Sequence, residues 1–271
     1  MATRSAFKQK DYLAIAKQRV HRPAQWDHFP RLLVYSRNKK GKTTFCLSAG
    51  VDEILIVDPE SGTDLMKRRN PFVWAVQQWE DIHDVYGAAR SGKLSPNTFK
   101  QGESSTPFKW LALDGTTKMN SMALRYVMRL GEEANLDRIP GIVDRRDYGK
   151  SGRLMTDMIN DFHGLKMGVI FTAQERMVVA DSGDSDEDEE ATFFIPDLPA
   201  AVRGSVNQVV DVIGRLYVVD VTTKNGPAKQ RRLQIGPHAR YDTGARSDYV
   251  IPDMLKNPTV PKLVDLMLNG K

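Results

Sequence analysis

Residues 31–50 read RLLVYSRNKKGKTTFCLSAG, and the fold turns on this stretch. Arg31 to Tyr35 is a short apolar run of the kind that a parallel sheet buries on both faces. A polar turn follows, Ser36-Arg37-Asn38-Lys39-Lys40-Gly41. Lys42-Thr43-Thr44 then opens a second apolar segment, which Gly50 would close as a C-cap. Strand, glycine-bearing turn, Gly-Lys-Thr and helix is the order that a phosphate-binding loop requires. In such a loop the backbone N–H groups surround a phosphate. Gly41 lets the main chain approach closely, Lys42 reaches the β- and γ-phosphates, and the Thr43 hydroxyl binds Mg²⁺. ATP and Mg²⁺ are therefore the expected ligands, with Ser36 to Thr44 as their cradle. Ser36 stands where the pattern has glycine, and a basic strand–helix turn is the plain alternative. Lys39 and Lys40 add charge as further phosphate contacts or as solvated surface.

A phosphate loop that works on ATP needs an acid for magnesium, an acid to orient water, and a group that senses the γ-phosphate. Asp114 closes the apolar run WLAL (110–113) and is the expected metal acid, unless it caps the next helix. Glu60 follows ILIV (54–57) in VDPESGTD and is the candidate to polarise water; otherwise it is a loop acid beside Asp58. Gln174 closes GVIFTA (168–173) and can hydrogen-bond the γ-phosphate or water; otherwise it is a polar strand end. Each residue ends a strand, so in a parallel sheet they converge on one edge. Lys42, Glu60, Asp114 and Gln174 are the expected catalytic set, with Thr43 and Asp114 on the metal.

Outward from this centre, strands and helices alternate. A helix is expected over residues 7–20, another from Asn70 as N-cap and Pro71 as N1 to about Arg90, and two more over about 117–134 and 151–165. Such alternation predicts an α/β core, a mainly parallel sheet covered by helices on both faces. After residue 175 the pattern turns antiparallel. MVVA (177–180) and TFFIP (192–196) form one excursion; RLYVVDVTT (215–223) and RRLQIG (231–236), joined by NGPAKQ, form a second, both at the sheet's far edge. A short helix is expected around 260–268. Residues 1–27 form a helical extension, 28–255 the core and 256–271 a tail.

Net charge is +5, yet residues 181–190, DSGDSDEDEE, carry seven carboxylates, so the remainder is +12. A body so basic favours a polyanionic partner, though a merely soluble basic protein fits as well. The single cysteine, Cys46, excludes a disulfide framework and points to a reducing cytoplasm. No run of about 18 apolar residues exists to span a membrane.

VDPESGTD resembles the acid-bearing strand end of RecA-type recombinases, and FTAQER the strand end before their second DNA loop. More closely, the chain is similar to phage-encoded, core-only RecA-like ATPases of the single-strand-annealing group. The phosphate loop, WLALDG, DYG (147–149), PDLPAAVRG (196–204) and GARSDYVIP (244–252) carry the likeness, over roughly residues 28–255. Gln174 departs from it, since relatives often have histidine there. The resemblance implies a RecA-like P-loop NTPase core, assembly into rings or filaments, and single-stranded DNA as ligand. It also implies a neighbour's basic residue near the ATP, with Lys224, Arg240 and Arg246 as candidates or as ordinary surface charges. A single-strand-binding protein would be a fitting partner.

That plan places a first DNA loop at residues 137–149, where Arg138, Arg145 and Arg146 suit phosphates and Tyr148 can stack on a base. A solvated loop accounts for them equally well. The second DNA loop spans 176–194 and includes the acidic run, which repels phosphate and is expected to be a flexible tip, a competitor for the basic surface, or a lure for a basic partner. The expected activity is DNA recombination or annealing driven by ATP. Its rivals are an accessory ATPase or motor in phage replication or packaging, and a DNA-binding module that responds to nucleotide without hydrolysing it.

Overall fold

The computed structural model describes residues 11–20, 22, 27–96, 107–179, 192–224 and 226–271. Six strands run parallel: β1 (Arg31–Ser36), β2 (Ile54–Asp58), β3 (Phe72–Ala75), β4 (Trp110–Asp114), β5 (Gly168–Val179) and β7 (Val212–Thr223). Their order across the sheet is β7-β1-β5-β4-β2-β3. Strand β8 (Gly226–Gln234) returns antiparallel on β7, and β10 (Met254–Lys256) pairs with β8. Strand β6 (Thr192–Pro196) pairs antiparallel with β5, and β9 (Gly244–Ala245) with β7. The expected α/β architecture is present: a mainly parallel sheet, helices on both faces, and antiparallel strands toward the C-terminus.

Alternation within each strand feeds two apolar layers. Leu33, Tyr35, Val57, Leu113 and Phe171 point into the layer closed by α3 (Glu80–Arg90), α4 (Thr116–Ala134), α5 (Arg145–His163) and α6 (Ala200–Val209). Leu32, Val34, Ile56, Ala112 and Ile170 point into the other, closed by α2 (Lys42–Leu47) and α7 (Val260–Asn269). All six residues of β1 are buried, which is why this strand reads as a continuous apolar run rather than an alternating one. A further helix, α1 (Tyr12–Arg19), precedes the sheet. No described helix is long and apolar enough to cross a membrane.

Several local expectations give way to tertiary pairing. The helix expected from Asn70 begins only at Glu80, where the Asp81 carboxylate accepts from the Gln77 and Gln78 amides at 2.7 and 3.1 Å. Phe72 to Ala75 instead form an edge strand on β2, since aromatic and β-branched side chains suit a half-buried pleat and Pro71 opens a strand as readily as a helix. Helix α5 starts at Arg145 rather than near 151, because Asp144 and Asp147 form a capping box. Of the two antiparallel excursions, β7–β8 lies at the edge, whereas β5–β6 prolongs a central strand. The turn joining β7 to β8 is tighter than NGPAKQ suggests, for β8 already begins at Gly226.

Candidate active site

Strand β1 delivers the phosphate loop at its carboxyl end. Ser36 is fully buried and lies in register with Gln174 of β5. The loop turns through two left-handed residues, Lys39 (φ 60°) and Gly41 (φ 103°). The Lys42 ammonium, drawn back over this turn, donates to the Gln174 Oε1 (3.0 Å), the Ser36 carbonyl (3.3 Å) and the Ser36 Oγ (3.4 Å). Thus the Ser36 hydroxyl adds an acceptor for the lysine that a glycine would lack, beside the carbonyl that either residue would supply. Burial holds the Lys42 amine below its ordinary value, against the upward pull of Asp114 and Glu60. Asn38 and Lys39 are exposed and Lys40 half-buried, while Arg37 reaches Glu175 at 3.3 Å.

Asp114 lies two strands from the loop, with β5 between them. Its two oxygens accept from Thr43 (2.5 Å) and Thr172 (2.7 Å). Burial pushes its carboxyl above the usual carboxylate range, although both threonine hydrogen bonds and Lys42 pull it down. A half-buried carboxylate sharing a hydroxyl with the phosphate-loop threonine is a donor set that fits Mg²⁺: hard oxygens, few of them, with places left for phosphate and water. Among the described residues no cluster of three histidines, cysteines or acids offers another metal site.

Glu60 is exposed, two residues beyond the buried strand end at Asp58. Asp58 shapes its loop, accepting from the Glu60 amide (2.9 Å), the Thr63 amide (2.8 Å) and the Thr63 hydroxyl (2.6 Å). Asp58 is therefore an organiser of this loop rather than a second reacting acid. Gly115 (φ 134°) faces the loop; a Cβ there would lie 3.0 Å from Pro59 Cγ and 3.7 Å from the Glu60 carboxyl carbon. Glu60 and Asp114 are thereby neighbours across one glycine. The main chain of Gln174 is also fixed: its N–H donates to Thr117 Oγ1 (3.0 Å), and its carbonyl accepts from the Asp197 amide (2.8 Å).

Three features escaped the sequence. Glu175, with only 3% of its side chain exposed, joins Arg37 to Arg215 of β7 (2.6 Å). The Arg215 guanidinium lies over the rings of Tyr241 (4.2 Å) and Phe194 (4.5 Å). Arg231 of β8 lies against Gly41. A cavity of about 540 Å³ opens beside Thr44 and is lined also by Phe45, Arg69, Leu216, Arg231 and Asn257. These groups come from strands and turns far along the chain, so no local motif marks them.

The expected DNA residues divide. Arg145, Arg146 and Tyr148 are exposed on the first turn of α5. Arg138 is not available, because it is ion-paired with buried Asp147 and packs over Gly131, a structural brace for the start of α5. The acidic run 181–190 lies outside the described residues. Of the candidate donors in trans, Arg246 donates to the Gln208 carbonyl of its own chain at 2.9 Å.

A family model described as an AAA domain (AAA_24) matches residues 28–247. The chain belongs to this AAA domain family. The matched span holds Ser36 to Thr44, Glu60, Asp114 and Gln174, and membership places the chain among P-loop ATPases. No curated protein matches it. Among solved structures, a KaiC-like protein from the hyperthermophilic archaeon Pyrococcus horikoshii OT3 is similar at 10% identity, with 80% of this chain and 82% of that chain covered and a TM-score of 0.40. In this AAA domain, then, the Ser36–Thr44 loop, Asp114 and the amide of Gln174 meet at one edge of the sheet; Asp114 ends β4, whereas β5 does not stop at Gln174 as expected but runs on to Val179.

Proposed function

We propose that this AAA domain is a Mg²⁺-dependent ATPase that acts on single-stranded DNA in recombination or strand annealing, as part of a homo-oligomeric ring or filament encoded by a phage. The observation that carries the ATPase reading is the pairing of Lys42 with Gln174 beside Thr43 and Asp114. Thr43 and Asp114 would hold Mg²⁺, which supplies charge neutralisation for the β- and γ-phosphate oxygens. Lys42 exchanges Gln174 and Ser36 for phosphate oxygens. Glu60 accepts a hydrogen bond from the attacking water and then its proton, as the new P–O bond forms and the bond to the β–γ bridging oxygen breaks. Gln174, released by Lys42, donates its amide N–H to the γ-phosphate and loses that contact on hydrolysis.

Support for DNA is electrostatic and geometric. Outside residues 181–190 the chain carries +12. Helix α5 ends at His163, whose carbonyl accepts from Arg31 at the amino end of β1. With 19 residues, α5 is about 28 Å long. Its first turn, bearing Arg145, Arg146 and Tyr148, is therefore carried toward the end of the sheet that holds the site. By resemblance, a single-strand-binding protein is a partner.

The test is ATP hydrolysis with and without single-stranded DNA for wild type, Lys42→Ala and Glu60→Gln. DNA-stimulated turnover in wild type, lost in both variants, is the expected result. Equal rates in all three would end the assignment, and DNA binding indifferent to Lys42→Ala would favour a module that does not hydrolyse. A subtler variant probes the Glu60 loop. Gly115→Ala, strained at φ 134° and pressed against Pro59, is expected to slow turnover by about tenfold or more while ATP affinity holds. Turnover equal to wild type would show that Glu60 does not depend on this contact.

A further inference from the structure

The β7–β8 hairpin carries an arginine into the phosphate site of its own chain. In β8, side chains two apart share a face. Leu233 is buried in the layer that packs α2, and Arg231, two residues nearer the hairpin turn, therefore emerges on the same face just above that layer. There it meets the phosphate loop: a Cβ built on Gly41 would lie 2.6 Å from the Arg231 Nε and 3.3 Å from its Cζ. Its main chain is fixed from both sides, by pairing with Val218 of β7 and by the Asn257 amide, which donates to the Arg231 carbonyl at 2.8 Å. The side chain is exposed and makes no ion pair with any described acid, while it lines the cavity that starts at Thr44. An unpaired guanidinium against a glycine whose job is close approach to phosphate lacks only the anion.

We propose that Arg231 is a phosphate ligand supplied in cis, binding the nucleotide's phosphate chain on the Thr44 side of the loop while Lys42 binds it on the Gln174 side. The assignment rests on the phosphate-loop reading above. It makes the C-terminal hairpin a built part of the nucleotide site, with the Arg231 guanidinium filling the space that the missing Gly41 side chain leaves, while φ 103° is what favours glycine there. A guanidinium there suits two phosphate oxygens at once, which a lysine point charge does not.

The test compares two probes, ATP and inorganic tripolyphosphate, titrated calorimetrically at fixed free Mg²⁺ into wild type, Arg231→Ala and Arg231→Lys. Arg231→Ala is expected to weaken both probes by about tenfold, with an unchanged melting temperature for the free protein, and Arg231→Lys to recover part of the loss. Weakened ATP with unaltered tripolyphosphate would overturn the proposal and assign the arginine to the nucleoside. Unaltered affinity for both probes would overturn it outright. Should wild type bind neither probe, the phosphate-loop reading itself fails and the proposal with it.

Discussion

Asp114→Asn is expected to abolish ATP turnover and yet leave the free protein as stable as wild type at neutral pH, or more stable. The wild-type carboxylate is half-buried, and that burial raises its pKa. A group raised in the folded state contributes its full stability below the ordinary value, 3.8, and loses it as pH rises through the raised value. At neutral pH, above that ordinary value, the ligand-free chain thus bears the cost of burying this carboxyl. An amide of the same shape removes that cost and can still accept from Thr172 while Thr43 reorients. It cannot give magnesium the same anionic oxygen, so turnover should fall by about 100-fold or more. Phosphate release at neutral pH and thermal melts from below pH 3.8 to neutral check both halves, and wild-type stability should fall relative to the variant's as pH rises above 3.8. A variant that hydrolyses normally would remove Asp114 from the metal site.

Glu175→Ala is expected to cost about 3 kcal/mol of stability, because it strands the partner of a buried charge. Arg215 is only 12% exposed and rests between aromatic rings, so losing the carboxylate leaves a guanidinium that water reaches poorly. Arg37, at 67% exposed, adds little to that sum. Denaturant unfolding should register the loss, with a fall in Tm of about 10 °C for a domain of this size. Glu175→Gln, which keeps a hydrogen-bond acceptor, should lose less. Wild-type stability in Glu175→Ala would mean that the aromatic stack alone holds Arg215.

The first prediction concerns the residue that ends β4 and the second a residue within β5, and they differ in how visible those residues are in the sequence. Asp114 was legible because a buried parallel strand is a continuous apolar run, and the polar residue closing it stands at the sheet's carboxyl edge. The same logic exposed Lys42, Thr43, Glu60 and Gln174. Glu175 was not legible, since nothing in FTAQER says that the second polar residue turns inward to meet β7 from forty residues later. Arg231 was hidden likewise, among neighbours that read as a basic turn and strand. Edge strand β3 was missed because Asn70-Pro71 opens a helix or a strand equally well, and only pairing with β2 decides. The pairing of Arg138 with Asp147 is hidden because the stretch 137–149 reads as a basic loop, whereas Asp147 is the N3 partner of Asp144 in the capping box of α5.

Strand β5 is unbroken from Gly168 to Val179. Its last paired residue, Val179, lies five positions beyond Gln174, a reach of about 16 Å. Extended chain in a ladder can tilt or slide but cannot stretch, so a push at the glutamine is felt at the outer ribbon without any intervening hinge. The catalytic edge and the β5–β6 ribbon are in series on one rod. Whatever grips the ribbon would therefore pull on the nucleotide, and by thermodynamic reciprocity each would change the other's hold by the same factor.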